Sequence, residues 1–219
     1  MKKTVCGIAV LSALMSANVL AHSEGDFIVR VGAATVSPND SSGDVLDTAG
    51  AEFSVDSNTQ LGLTLGYMFT DNISFEVLAA TPFSHSISTN FGGLGEIADT
   101  KHLPPTFMVQ YYFGDSQSDF RPYVGAGINY TVFFDESLNS KAKAAGLSDL
   151  SLDDSWGLAA NVGMDYMIND DWFLNASVWY ADIGTTAKYK HTAGVTTTQY
   201  STDVDIDPWV FMIGGGYNF

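Results

Sequence analysis

The chain has 219 residues, 46% of them hydrophobic, and carries nine Lys and Arg against 25 Asp and Glu, a formal net charge of −16. That hydrophobic content excludes a disordered chain, and that acidity excludes a nucleic-acid binder or a peripheral protein drawn to anionic lipid, both of which need a basic surface. The length allows one domain or at most two.

The first element is the apolar segment "MKKTVCGIAVLSALMSANVLA", residues 1–21, with Lys2 and Lys3 ahead of the run and Val19-Leu20-Ala21 at its end. It reads as a secretory signal peptide, cleaved to leave a mature domain over 22–219. An uncleaved anchor would need a longer span with other flanks. Cys6, the one cysteine, lies at the wrong end of the segment for a lipid-modified residue. Loss of Lys2 and Lys3 takes the charge from −16 to −18 and leaves no cysteine. An exported protein without disulfides must be held together by something else.

The remainder reads as eight strands, over 26–37, 59–69, 73–83, 102–113, 120–134, 154–168, 172–184 and 204–219. In "TQLGLTLGYMF" Leu61, Leu63, Leu65, Tyr67 and Phe69 alternate with Gln60, Gly62, Thr64 and Gly66. "VGAGINYTVFF" and "WGLAANVGMDYMI" repeat the pattern, with Val124, Ile128, Val162 and Met164 on the apolar face. The last strand alternates Trp209, Phe211, Ile213, Tyr217 and Phe219. Such runs exceed the usual strand of about five or six residues.

The connections 70–72, 114–119 and 169–171 are tight turns, whereas 38–58, 84–101, 135–153 and 185–203 are long, polar and mostly acidic. Short and long strictly alternate, so every tight turn falls at one end of an up-and-down sheet. That layout predicts an all-β fold: an eight-stranded antiparallel transmembrane barrel with periplasmic turns and extracellular loops. Within the third loop, "SKAKAAGL" predicts one helical turn capped by Gly146.

A soluble lipocalin-like barrel has the same strand number but turns its apolar face inward. Three features favour lipid outside. Gly, Ala, Ser and Thr crowd one face, as a narrow lumen requires. Aromatics gather at both ends of the other face: Tyr67, Phe69, Phe75, Tyr111, Phe113 and Tyr166 near the turns, and Tyr130, Phe134, Trp156, Tyr180 and Trp209 near the loops. The terminal strand ending at Phe219 has a fully apolar side, which only closure within hydrocarbon accommodates.

The stretches "NTQLGLTLGYMFTDNISFEVLAATPF", "KHLPPTFMVQYYFGD", "FRPYVGAGINYTVFFD", "LSDLSLDDSWGLAANVGMDY" and "DPWVFMIGGGYNF" closely resemble the outer membrane protein W family of Gram-negative bacteria. The resemblance runs through the mature chain and is weakest in the first and fourth long loops. It implies an outer-membrane location, a narrow and largely apolar interior that passes small hydrophobic molecules, no cofactor and no enzymatic activity.

Inward parity near the turns selects Arg30, Glu76, Gln110, Arg121 and Asp165, two cations and two anions at one level, expected to pair as a polar floor. A packed floor of this kind is also how a small barrel fills its interior. Higher up, the same parity selects Leu78, Met108, Phe133, Trp179, Val210 and Met212. They predict an apolar cavity open to the loops and narrowed by Leu78 and Trp179; the alternative is that they simply fill space. Pro82, Pro104 and Pro105 fall nearly opposite one another in strands three and four. Proline donates no ladder hydrogen bond, so the wall there is expected to be weakly paired, either as a lateral exit into the membrane or as a bulge at the rim.

Catalysis finds little footing. Ser84, His85 and Ser86 adjoin one another and His102 is placed to lie across from them, but neighbours on a strand point to opposite faces and no third group orients the histidine. His22 and His191 are assigned to solvent. No tight His/Cys spacing suggests a metal. The acidic loop residues read as a solvated rim, with cation sharing toward lipopolysaccharide phosphates as the alternative. The function that emerges is passage of small hydrophobic molecules by a monomeric barrel. Its partners are outer-membrane lipids and lipopolysaccharide, a small apolar solute, and the barrel assembly machinery through the strand ending in Phe219. The alternative is a plugged structural or receptor barrel acting through its loops, in phage or bacteriocin docking or envelope integrity.

Overall fold

A computed structural model describes residues 22–219; the segment 1–21, with Cys6 and the expected cleavage point, lies outside the described residues. The strands in chain order are β1 (Phe27–Ser37), β2 (Ser41–Ser42), β3 (Phe53–Val55), β4 (Asn58–Met68), β5 (Ile73–Ala80), β6 (Phe83–Thr89), β7 (Gly95–Leu103), β8 (Thr106–Tyr112), β9 (Phe120–Leu138), β10 (Leu147–Leu152), β11 (Ser155–Met167), β12 (Trp172–Ala181), β13 (Gly184–Ala193), β14 (Thr196–Asp205) and β15 (Trp209–Asn218). One short helix, α1 (Ser140–Ala144), precedes β10.

Eight of these strands close on themselves in the order β1, β4, β5, β8, β9, β11, β12, β15, with β15 pairing back to β1, every pair antiparallel. Closure removes the edge that an open sheet would expose to hydrocarbon. The outward parity is the apolar one: Leu61, Leu63 and Leu65 on β4 are 56%, 45% and 53% exposed, while Gly62, Thr64 and Gly66 between them are buried. The large exposed apolar groups that the barrel strands carry on this face are stable only against acyl chains. Aromatic rings meet pairwise at both ends of the wall, Tyr111 with Phe113 and Tyr217 with Phe219 near the turns, Tyr130 with Trp156 and Tyr180 with Trp209 near the loops.

Four of the strands expected to run unbroken are interrupted near the outer girdle. The chain breaks between β5 and β6, β7 and β8, β12 and β13, and β14 and β15. Beyond the breaks, what reads as long polar loop folds into two further ribbons. β3, β6 and β7 stand on β9, and β10, β13, β14 and β2 form a second sheet. Their inner faces carry Phe53, Ile87, Ile97, Phe133, Ala187 and Val204, which continue the barrel core upward. The alternation behind this was hidden because polar outer-face residues dominate the composition of a half-buried ribbon. The helical turn forms as expected: Asn139 caps α1 by accepting from Ala142 N, and Gly146 follows with φ of +89°.

Candidate functional site

The floor of the lumen lies level with the turns. Arg30 on β1 is buried and reaches both acids: its Nη1 donates to Glu76, its Nη2 to Asp165 Oδ2 at 2.6 Å and its Nε to Asp165 Oδ1 at 3.2 Å. Glu76 also accepts from Thr64 Oγ1 and Gln110 Nε2, and Asp165 from Asn175 Nδ2. Every carboxylate oxygen is thereby engaged, which is what allows two anions to persist in an interior.

Arg121 departs from the expected pairing. Among the described residues it ion-pairs with no acid; its Nη1 donates to the His22 carbonyl at 3.1 Å and its Nη2 to the Asp71 carbonyl at 2.5 Å, with the guanidinium over the Tyr112 ring. Asp165 is across from Arg121 in the β9–β11 register, but Arg30 occupies its carboxylate from the other side of the lumen.

His22 is likewise not in solvent. It is fully buried, between Tyr112 and Phe173, with Nε2 2.7 Å from Asp165 Oδ2 and Nδ1 2.8 Å from Asn218 Oδ1. The segment entering β1 thus folds into the mouth of the barrel and completes the floor. No periodic pattern marks His22, because it precedes the first strand. His191, also assigned to solvent, is half-buried beside Tyr200.

Above the floor Met108 pairs in register with Glu76, and Met212 lies beside Gly62 with Ser177 opposite. Both methionines are buried. The inward amide of Asn161 has no hydrogen-bond partner for either polar atom among the described residues. Higher still, Leu78, Trp179 and Val210 line a cavity of about 520 Å³ of empty space, counting the part open to solvent. The Trp179 indole donates to Ser177 Oγ at 3.0 Å, which fixes the ring across the lumen. A second cavity of about 610 Å³ by the same measure lies among the rim ribbons and includes Phe133, Ile87 and Val204. Val36 and His102 border both.

The wall of the lower cavity has two weak places. Between β12–β13 and β14–β15 the break is stitched: Ala181 N donates to the Pro208 carbonyl, Ile206 N to the Ile183 carbonyl, and Ile183 N to Asp207 Oδ1. The other break is not. Pairing of β5 with β8 stops at Leu78 and Thr106 and resumes only at Phe83 and His102. Among the described residues no hydrogen bond joins Ala79–Pro82 to Leu103–Pro105, and the carbonyls of Pro104 and Pro105 turn to Asn129 and Tyr130 on β9 instead. Ala79, Ala80 and Pro104 border the lower cavity at this gap. The gap is level with the Tyr130–Trp156 stack, and so with the outer aromatic girdle.

The weighed nucleophiles are separated. Ser84 and Ser86 face outward, Ser86 donating to Asp99, whereas His85 faces inward and meets His102. Sequence reasoning placed His102 opposite this segment without finding the contact, which runs diagonally: the register sets His102 against Phe83, two residues from His85.

The family model described as the OmpW family matches residues 23–219. Outer membrane protein W of Vibrio cholerae is 72% identical over the full length of both chains, and that of Escherichia coli 55%. The crystal structure of the outer membrane protein OprG from Pseudomonas aeruginosa is similar with a TM-score of 0.87 and 50% identity, covering 92% of this chain and 99% of that one.

Proposed function

The chain belongs to the OmpW family and is an outer-membrane β-barrel, and we propose that it passes small hydrophobic molecules from the cell exterior into the membrane. The observation that carries this reading is the unpaired gap at Ala79–Pro82 and Leu103–Pro105, bordering an apolar cavity above a floor whose polar groups hold one another. A solute entering between the rim ribbons meets a surface that matches it; Leu78 and Trp179 form the constriction, while Met108, Phe133, Val210 and Met212 keep the lumen apolar. Passage to the periplasm would require breaking the cluster of Arg30, Glu76, Gln110, Arg121, Asp165 and His22. Departure through the gap requires no broken ladder, because prolines 82, 104 and 105 have no amide to give.

In this reading the signal peptide over 1–21 is removed, the barrel works as a monomer with no cofactor, metal or chemical step, and Phe219 presents the last strand to the assembly machinery. Lipopolysaccharide surrounds the acidic rim.

A single-cysteine variant tests it, since residues 22–219 contain none. Ala80→Cys is reconstituted in liposomes and uptake of a fluorescent apolar probe is followed. A bulky disulfide-linked adduct at the gap stops uptake, and a reductant restores it. Uptake indifferent to the adduct removes the lateral route, and absence of uptake in the unaltered protein favours a plugged barrel acting through its loops.

A further inference from the structure

His85 and His102 form the polar point of an otherwise apolar path. Both are 3% exposed, their Nε2 atoms are 3.3 Å apart, and the rings meet edge to face. They stand in the rim ribbons, beyond the wall break at Pro104 and Pro105, with His102 in register with Phe83 and Phe133. Burial lowers His85 below its ordinary range and brings His102 down to about 3, the neighbouring imidazole adding to the effect. Both rings are therefore neutral at pH 7.

A neutral imidazole has one donor and one acceptor nitrogen. His85 Nδ1 lies 2.6 Å from the Asp56 carbonyl oxygen, which only accepts, so this nitrogen carries the proton. His85 Nε2 is then an acceptor and takes its hydrogen bond from His102 Nε2. His102 Nδ1 is left as an acceptor with no partner among the described residues. The other side-chain donors along both cavities are committed, and His102 Nδ1 is the ring acceptor that no donor reaches among the described residues. Thr185 and Thr100 hydroxyls donate to the carbonyls of Asp153 and Lys101, Thr106 donates to the Pro104 carbonyl, and the Asn129 amide meets Thr106 and Thr131.

We propose that His102 Nδ1 receives the hydroxyl of a neutral alcohol or phenol at the junction of the two cavities, so that the preferred solute is an apolar body bearing one hydrogen-bond donor. This rests on the passage reading and names its substrate class. A pure hydrocarbon leaves the acceptor unpaired, which disfavours it. A carboxylate finds no Lys or Arg among the described residues lining the two cavities and loses its hydration on entry. A hydrogen bond made in place of an unsatisfied acceptor corresponds to about tenfold in affinity.

The test uses the protein in lipid nanodiscs with ¹⁵N-labelled histidine, titrated with 1-octanol, n-octane and octanoate at neutral pH. Octanol moves the His102 Nδ1 resonance upfield, as acceptance of a hydrogen bond requires, and binds about tenfold more tightly than octane; octanoate leaves the resonance in place. In the His85→Phe, His102→Phe double variant, which leaves no imidazole acceptor at the junction, the octanol affinity falls to the level of octane in the unaltered protein. The ¹⁵N shift is read on the unaltered chain and stands even if that variant does not fold. Equal binding of octanol and octane with no shift overturns this inference and leaves the apolar passage standing. A shift with octanoate alone overturns it in favour of an anion site, and no binding by any probe overturns both readings.

Discussion

Arg30 grips Asp165 from across the lumen with two nitrogens of one guanidinium, at 2.6 and 3.2 Å, rather than leaving it to Arg121, the residue opposite it in the β9–β11 register. Removing one member of such a buried pair strands the other charge, at a cost of about 3–5 kcal/mol. Asp165→Ala therefore lowers the denaturant midpoint of the refolded barrel markedly, and Arg30→Met combined with Asp165→Leu and Glu76→Gln, which leaves neither carboxylate buried without its cation, recovers much of the loss. Urea titration in lipid vesicles measures both. An unshifted midpoint in the single variant would mean that the pair does not hold the floor.

Gly216 on β15 leaves room for the Phe173 ring, which covers the position a β-carbon would occupy. Gly216→Ala forces that buried ring aside and destabilises the barrel by about 1–3 kcal/mol, in the range of overpacked cores. Adding Phe173→Leu gives back part of the loss. Thermal mobility shifts on gels read the order of the three proteins, and a fully stable Gly216→Ala contradicts the packing.

Leu63 lies midway along β4 and 45% of it is exposed. Leu63→Arg sets a cation in the middle of the hydrocarbon and costs about 2–4 kcal/mol. Unfolding from lipid vesicles measures it. A neutral effect would place this face in water.

The His85–His102 pair makes the rim sensitive to acid. His102 titrates at about 3 in the folded protein and near the ordinary 6.5 when unfolded. The unfolded rim therefore binds a proton in a range where the folded rim does not, and its stability falls as pH drops from about 6.5 toward 3, being flat above. Hydrogen exchange of β6 and β7 amides accelerates across that window relative to β1 and β15. His102→Phe reduces the difference and His85→Phe with His102→Phe removes it, since burial lowers the pKa of both rings, and exchange that ignores pH there refutes the assignment.

Much of the architecture was written in the alternation of the chain. Leu61, Leu63 and Leu65 against Gly62, Thr64 and Gly66 oriented β4, and the short–long rhythm of connections ordered the strands. The buried positions of Arg30, Glu76, Gln110, Arg121 and Asp165 also followed from parity and height above the turns. Their partners did not. The same reasoning that buried Arg121 gave it a carboxylate, whereas the structure gives it two carbonyls.

What the sequence by itself determined was the run of strands, their up-and-down order and the side that meets lipid, because alternation, the short–long rhythm of connections, the small residues of one face and the aromatic girdles of the other are local signals that need no partner to be read. Only the tertiary structure decided that His22 completes the floor, that four strands break near the outer girdle with one break left unstitched, and that His85 meets His102 on a diagonal. Those outcomes depend on which backbone and side-chain groups meet across the lumen and between ribbons. Such meetings are set by register and by competition for hydrogen-bond partners among residues far apart in the chain.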